Sequence, residues 1–410
     1  GTLFFRADDG VAGSELWRSD GTAAGTRRVK DVLAGPGSSF PSQLVEVDGT
    51  LFFRADDGTS GAELWRSDGT EAGTRRVKDI LPGPGHSVPE LLVDVNGLLF
   101  FRADDGVAGR ELWKSDGTEA GTTRVRDIWP GSGWSFPAEL VGMNGTLFFR
   151  ANDGVAGAEL WRSDGTEAGT VRVKDIRPGP VGSLPDPFGD FVANLTPRPR
   201  PSPSAREGGT LFFAADDGVA GVELWKSDGT EEGTVLVKDI APGGASSLPR
   251  GLRAVEGGVV FQACDARGCE VWTSDGTEAG TRRVADVEPG PTSSNPFAFT
   301  PSGTLVFFGA RTAATGHELW ALPRIALFDA DGDGVASPAD LCPDSPRREP
   351  VNAEGCTAEE LVALRCPREE FSRHGRYVSC VAHAAQEAVR EGLIRPAEKA
   401  RLVKQAAQEK

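Results

Sequence analysis

The chain alternates short apolar runs with breaks rich in glycine and aspartate, and this alternation itself repeats. Within residues 49–95, Leu51-Phe52-Phe53 is followed by Asp56-Asp57-Gly58 and Gly61, then Glu63-Leu64-Trp65, then Ser67-Asp68-Gly69-Thr70. Aromatic and β-branched runs bounded by such residues predict strands, with turns where Gly and Asp accept positive φ. Residues 75–80 predict a third strand. Pro82-Gly83-Pro84-Gly85 predicts a connector that cannot be helical, and residues 91–95 predict a fourth strand leading into the next block. Apolar residues on successive positions, as in Leu51-Phe52-Phe53, predict sheets covered on both faces.

The block opens at Gly1, Gly49, Gly97, Gly145, Gly209, Gly257 and Gly303, so the spacings by subtraction are 48, 48, 48, 64, 48 and 46 residues. A fixed period means that one supersecondary unit is stacked or set around an axis. Four short antiparallel strands per unit predict an all-β chain folded as a β-propeller, in which neighbouring blades cover one another and only short edges remain. The first block lacks a leading strand and the seventh a trailing one. Seven hairpins of the Glu-Leu-Trp type favour seven blades; a six-bladed ring with an extra hairpin, or an open solenoid, are the alternatives. Between the fourth and fifth blocks lie 16 extra residues (64 minus 48), centred on Pro197, Pro199, Pro201 and Pro203. They predict a solvated polyproline loop at about residues 195–208.

Glu-Leu-Trp recurs at Trp17, Trp65, Trp113, Trp161, Trp225 and Trp320, with Val271-Trp272 in the sixth block. Ser-Asp-Gly-Thr recurs at Asp20, Asp68, Asp116, Asp164, Asp228 and Asp275. On these motifs residues 1–322 resemble the bacterial repeat family known by its ELWxxDGT signature, which is defined by sequence and implies no particular activity. The repeated Glu15, Glu63, Glu111, Glu159, Glu223, Glu270 and Glu318 are expected to pair across strands with the lysines of the VKD motif, Lys30, Lys78, Lys174 and Lys238. A ligand cradle repeated in each blade is the alternative. The Asp of each SDGT is expected to accept its own backbone N–H groups in an Asx turn. The repeated Trp is expected to pack between blades.

A net charge of -16 argues against nucleic acid, whose phosphates need a basic stripe. No apolar run approaches the length of a transmembrane helix. The chain starts in register with its own repeat and reads as a mature or trimmed piece of something longer. Its six cysteines fall into three close pairs, Cys264 with Cys269, Cys342 with Cys356, and Cys366 with Cys380. Proximity favours these pairings among the alternatives, free buried thiols included, and an even count in close pairs suits an oxidising compartment.

After Trp320 the composition changes. Asp329, Asp331, Asp333 and Asp340 occupy positions one, three, five and twelve of a loop with Gly334 at six. This is the oxygen-ligand spacing of an EF-hand-like calcium loop, with the Val335 carbonyl at seven and Ser337 acting through water at nine. The segment 327–356 is similar to thrombospondin type 3 calcium repeats, in which a cysteine pair closes the segment. That resemblance implies bound Ca2+ and maps the pair onto Cys342 and Cys356. Residues 323–356 are therefore read as a calcium-binding linker, and residues 357–410 as a helical tail. In the tail, Thr357 and Glu360 form a capping box, Val378, Val381, Ala385, Ala388 and Val389 form an apolar stripe, Gly392 stops the helix and Pro396 opens the last one.

No catalytic residues emerge. His86, His317, His374 and His383 have no nucleophile-and-base setting, and near-identical blades do not supply differently tuned groups. The clearest asymmetries are Trp129, Trp134 and the loop from Cys264 to Cys269. The expected function is a monomeric bacterial binding or adhesion module, secreted, periplasmic or on the cell surface, that recognises a glycan or a surface protein. A propeller enzyme with a site at the channel mouth and a structural envelope spacer are the alternatives.

Overall fold

The computed structural model describes residues 1–183, the backbone of 192–194, and residues 209–324, 327, 351, 356–368, 371 and 374–408. The proline-rich segment at about 195–208 and the loop expected to bind calcium, with Asp329, Asp331, Asp333, Val335, Asp340 and Cys342, lie outside the described residues.

The chain is mostly β and divides into two compact units, Gly1–Arg250 and Gly251–Lys410. Its strands form seven antiparallel sheets, each running in chain order from one edge to the other. The first holds β1 (Leu3–Asp8), β2 (Ser14–Ser19) and β3 (Arg27–Lys30). The second holds β4 (Ser42–Val47), β5 (Thr50–Asp56), β6 (Ala62–Ser67) and β7 (Arg75–Lys78). The third holds β8 (Glu90–Val95), β9 (Leu98–Asp104), β10 (Arg110–Ser115) and β11 (Thr123–Arg126). The fourth holds β12 (Ala138–Met143), β13 (Thr146–Asn152), β14 (Ala158–Ser163) and β15 (Val171–Arg172). The fifth holds β16 (Val192–Asn194), β17 (Thr210–Asp216), β18 (Val222–Ser227) and β19 (Val235–Lys238). The sixth holds β20 (Arg250–Val255), β21 (Gly258–Asp265), β22 (Gly268–Ser274) and β23 (Arg282–Ala285). The seventh holds β24 (Phe297–Ser302), β25 (Leu305–Thr312) and β26 (Gly316–Pro323). Among the described residues the first sheet thus has no leading strand and the seventh no trailing one, as the block pattern predicts. The third strand of the second block ends at Lys78 instead of residue 80, because Asp79 begins the connector.

In the first unit, consecutive sheets pack face to face. Phe53 and Trp65 join Leu16 and Val29 of the preceding sheet. Phe101 and Trp113 join Phe52, Leu64 and Val77. Phe149 and Trp161 join Phe100, Leu112 and Val125, and Phe213 and Trp225 join Phe148, Leu160 and Val173. Consecutive Phe residues are both buried because a strand sends neighbours to opposite faces and each face meets another sheet. The leading strands β4, β8, β12 and β16 lie side by side in that order.

Polar links follow the same direction. Lys30 Nζ donates to the Thr74 carbonyl (2.9 Å), Lys78 Nζ to Thr122 (2.9 Å), Arg126 to Thr170 (2.6 Å) and Lys174 Nζ to Thr234 (2.8 Å). These bonds overturn the expected cross-strand Glu–Lys pair. Each of these lysines reaches a carbonyl of the next sheet with its ammonium.

In the second unit, Val255, Val260 and Val271 pack with Phe299, Val306 and Phe308. Cys264 and Cys269 face each other across β21 and β22 and form a disulfide. The tail forms α1 (Ala358–Arg365), α2 (His374–Arg390) and α3 (Pro396–Gln408). Thr357 and Glu360 make the predicted capping box. At the end of α2, Gly392 has φ 79°, and Leu393 N–H reaches the Ala388 carbonyl at 2.9 Å, a Schellman closure. A disulfide joins Cys366, just after α1, to Cys380 in α2. Cys356 is buried and disulfide-bonded. No helix among the described residues is long and apolar enough to cross a membrane.

Candidate functional site

The repeated polar residues of the first six sheets are occupied in holding the fold, whereas Glu318 of the seventh is exposed. Glu111, fully buried on β10, accepts from Ile128 N–H (3.1 Å), Ser135 N–H (3.1 Å) and Ser135 Oγ (2.7 Å). The same serine contact recurs from Ser39 to Glu15, Ser87 to Glu63, Ser183 to Glu159, Ser247 to Glu223 and Ser294 to Glu270. Each carboxylate therefore anchors the connector that leaves its own sheet. Burial pushes Glu111 and Glu159 up to about 7, against the opposing pull of these hydrogen bonds.

The SDGTxxGT motif is also closed on itself. Asp116 accepts from Thr118 N–H (2.8 Å) and Oγ1 (2.7 Å), and Thr118 Oγ1 accepts from Gly121 N–H (2.9 Å). The Thr118 hydroxyl and N–H hold the Asp116 carboxyl below its usual range. A Cβ at Gly121 would lie 2.1 Å from that carboxylate, so no side chain fits there. The ADDG aspartates likewise make Asx turns, as Asp105 does with Val107 and Ala108 N–H.

With the consensus accounted for, the informative residues are those that depart from it. The N–H of Ser14, Val222 and Cys269 donates to Ser38, Ser246 and Ser293 Oγ, each at 2.9 Å, and that of Ala62 to His86 Nδ1 at 2.8 Å. In the third repeat the matching pair is Arg110 and Trp134. The indole has a donor but no acceptor, so this capping bond cannot form. The Trp134 ring lies instead on Gly109, where a Cβ would come within 1.9 Å of Cδ1. It is 43% exposed and meets Phe136, also 43% exposed, edge-on at 5.2 Å. Arg110 replaces the small or apolar Ser14, Ala62, Ala158, Val222 and Cys269 of other repeats, and its Cζ stands 5.6 Å from the Trp134 ring centre.

Beneath them, Glu90 at the start of β8 accepts from Arg102 (2.6 Å) and Arg54 (3.2 Å) and lies 4.0 Å from Arg110. Burial would raise the Glu90 carboxyl, but the Arg102 hydrogen bond and the charges of Arg102, Arg54 and Arg110 bring it below its usual range. Three guanidinium groups face the Glu90 carboxylate here, and Asp104 stands opposite Arg110 across β9 and β10. Phe136 holds φ at 46° immediately before Pro137. This left-handed position recurs at Phe40, Val88, Leu248 and Asn295, and in Phe136 it is fixed by its N–H bond to the Arg110 carbonyl (3.3 Å).

Of the asymmetries in the sequence, Trp134 joins this face and Trp129 does not. Trp129 wedges between Gly133 and Gly154, as Leu33 does between Gly37 and Gly58, and is a larger packing residue. Arg110 and Glu90 gave no signal in the sequence; aligning each repeat for its odd residues would have found Arg110. The histidines are spread out. His86 caps a strand, His317 lies on β26, and His374 and His383 lie on α2. Among the described residues no three His, Cys, Asp or Glu side chains converge as a metal site.

No protein-family profile matches the chain, and no curated protein aligns with it. Similar solved structures include a prolyl endopeptidase at 11% identity and TM-score 0.45, covering 79% of this chain and 47% of that one. They also include oligopeptidase B from Leishmania major at 13% identity and TM-score 0.45, covering 79% of this chain and 46% of that one. A puromycin hydrolase matches at 16% identity and TM-score 0.40, covering 80% of this chain and 51% of that one. The chain spans about half the length of each, and likeness at this level transfers no residue and no activity.

Proposed function

We propose that residues 1–322 form a β-propeller of seven blades that works as a secreted or cell-surface binding module, capturing a glycan or a protein on the face of its third repeat. The blade reading is supported by the face-to-face packing of consecutive sheets in the first unit and by the adjacent leading strands. An extracellular setting is supported by the disulfides Cys264–Cys269 and Cys366–Cys380. The binding reading is carried by one observation: Trp134 stands where four other repeats place a hydrogen-bond acceptor, and leaves a large aromatic ring half-exposed beside Arg110. A spacer built from copies has no use for such a departure, whereas half-exposed Trp and Arg are typical binding anchors.

The test is an array of glycans and surface proteins probed with the full chain and with Trp134→Ser, which restores the serine of other repeats. Signal on wild type that falls at least tenfold in the variant, with an unchanged melting temperature, is expected. Equal signal from both proteins would remove the third repeat as the binding face.

We further propose that Asp329, Asp331, Asp333, the Val335 carbonyl and Asp340 hold a calcium ion with an affinity between about micromolar and millimolar. The spacing of the carboxylates supports this. Calorimetric titration of the full chain should show calcium heat that Asp331→Asn abolishes. Saturating calcium, at roughly a hundred times Kd, should stabilise the linker by about 2.7 kcal/mol. A titration of wild type without heat refutes the site.

A further inference from the structure

We infer that the third-repeat face recognises an acidic sugar, a pyranose bearing a carboxylate of the uronic acid type, with Trp134 as stacking platform and Arg110 as carboxylate ligand. This rests on that face being the binding face, and adds the chemistry of what it binds.

Arg110 is placed but uncommitted. Among the described residues no hydrogen bond from its guanidinium is seen; it is held by the Trp134 ring at 5.6 Å and by the Glu90 carboxylate at 4.0 Å. Arg54 and Arg102 differ, since both donate to Glu90, and Arg54 also to Ser42 Oγ (3.1 Å) and Arg102 to the Pro137 carbonyl (3.2 Å). Glu90 accepts from Arg54 on one oxygen and from Arg102 on the other, and Arg110 stands 4.0 Å away, beyond hydrogen-bond distance. A planar guanidinium with open donors binds a carboxylate by two parallel bonds.

The aromatic pair sets the other half of the ligand. Trp134 and Phe136 meet edge-on, 5.2 Å between centres with planes 69° apart, so the indole alone offers a flat surface for stacking. A pyranose ring presents an apolar C–H face of similar width to an indole, while its hydroxyls stay in water or reach polar neighbours. The Arg110 N–H lacks the side-chain acceptor that the N–H groups of Ser14, Ala62, Val222 and Cys269 have, because the indole takes that place. An extended peptide is less well served. It needs a free run of backbone partners, whereas β10 is flanked on both sides by β9 and β11.

Oligogalacturonate is the probe. Titrated into the full chain by calorimetry, it should bind wild type with submillimolar affinity that weakens as salt rises. Trp134→Ser and Arg110→Ser, which install residues that other repeats carry, should each weaken it at least tenfold without lowering the melting temperature. The methyl-esterified oligosaccharide, which keeps the ring and loses the charge, should bind wild type at least tenfold more weakly than the acid and be insensitive to Arg110→Ser. Oligogalacturonate that does not bind wild type, or that binds both variants as well as wild type, overturns the inference. So does an ester that binds as well as the acid. Binding of poly-glutamate but not oligogalacturonate, lost in Trp134→Ser, would also overturn it while leaving the third-repeat face as a binding face.

Discussion

Glu111→Ala should destabilise the first unit by about 3–5 kcal/mol, measured by urea unfolding. The substitution leaves Ile128 N–H, Ser135 N–H and Ser135 Oγ without their acceptor in a site that water does not reach. Each orphaned buried donor costs about 1–3 kcal/mol, and the lost side-chain volume adds a cavity. Ser135→Ala removes one donor and keeps the acceptor, so a loss of only about 1–2 kcal/mol is expected. A result for Glu111→Ala no larger than for Ser135→Ala would show that the carboxylate does not anchor the connector.

The same site gives the pH dependence its sign. Burial raises Glu111 and Glu159 from 4.5 to about 7. The folded state therefore holds these protons more tightly than the unfolded chain. Their contribution to stability is fully present below about pH 4.5 and is lost as pH rises through 7. Glu111→Gln cannot titrate, so its stability should fall less than that of wild type across this window.

The second large effect is Phe101→Ala, expected to cost about 3–5 kcal/mol. Phe101 is fully buried between the second and third sheets, against Phe52, Leu64 and Val77. Its counterpart Phe5, on the first sheet, is only half-buried. Phe5→Ala should therefore cost about half as much or less, although the two strands have nearly the same sequence. Equal losses would mean that packing between sheets is not what stabilises these strands.

These pairs mark the limit of what a repeat reveals. The strands and turns were legible because Leu-Phe-Phe runs, Asp-Gly turns and a period of 48 residues are local patterns. The helix cap at Thr357 and the stop at Gly392 were legible for the same reason. The Glu–Lys pairing was misread. Sequence shows which charges recur, but not that a lysine reaches 44 residues ahead to the Thr122 carbonyl while Glu63 turns to Ser87. Trp129 and Trp134 looked alike as departures, and only their surroundings separate a packing wedge from an exposed platform.

The sequence by itself determined the all-β sheets, their order and the turn chemistry, because hydrophobic period and positive-φ residues act over a few positions. The tertiary structure alone decided which buried carboxylate meets which serine, and that Arg110, Trp134 and Glu90 share one face. Those contacts join residues 20 to 24 positions apart through the packing of connectors on sheets, and side-chain identity does not encode that distance.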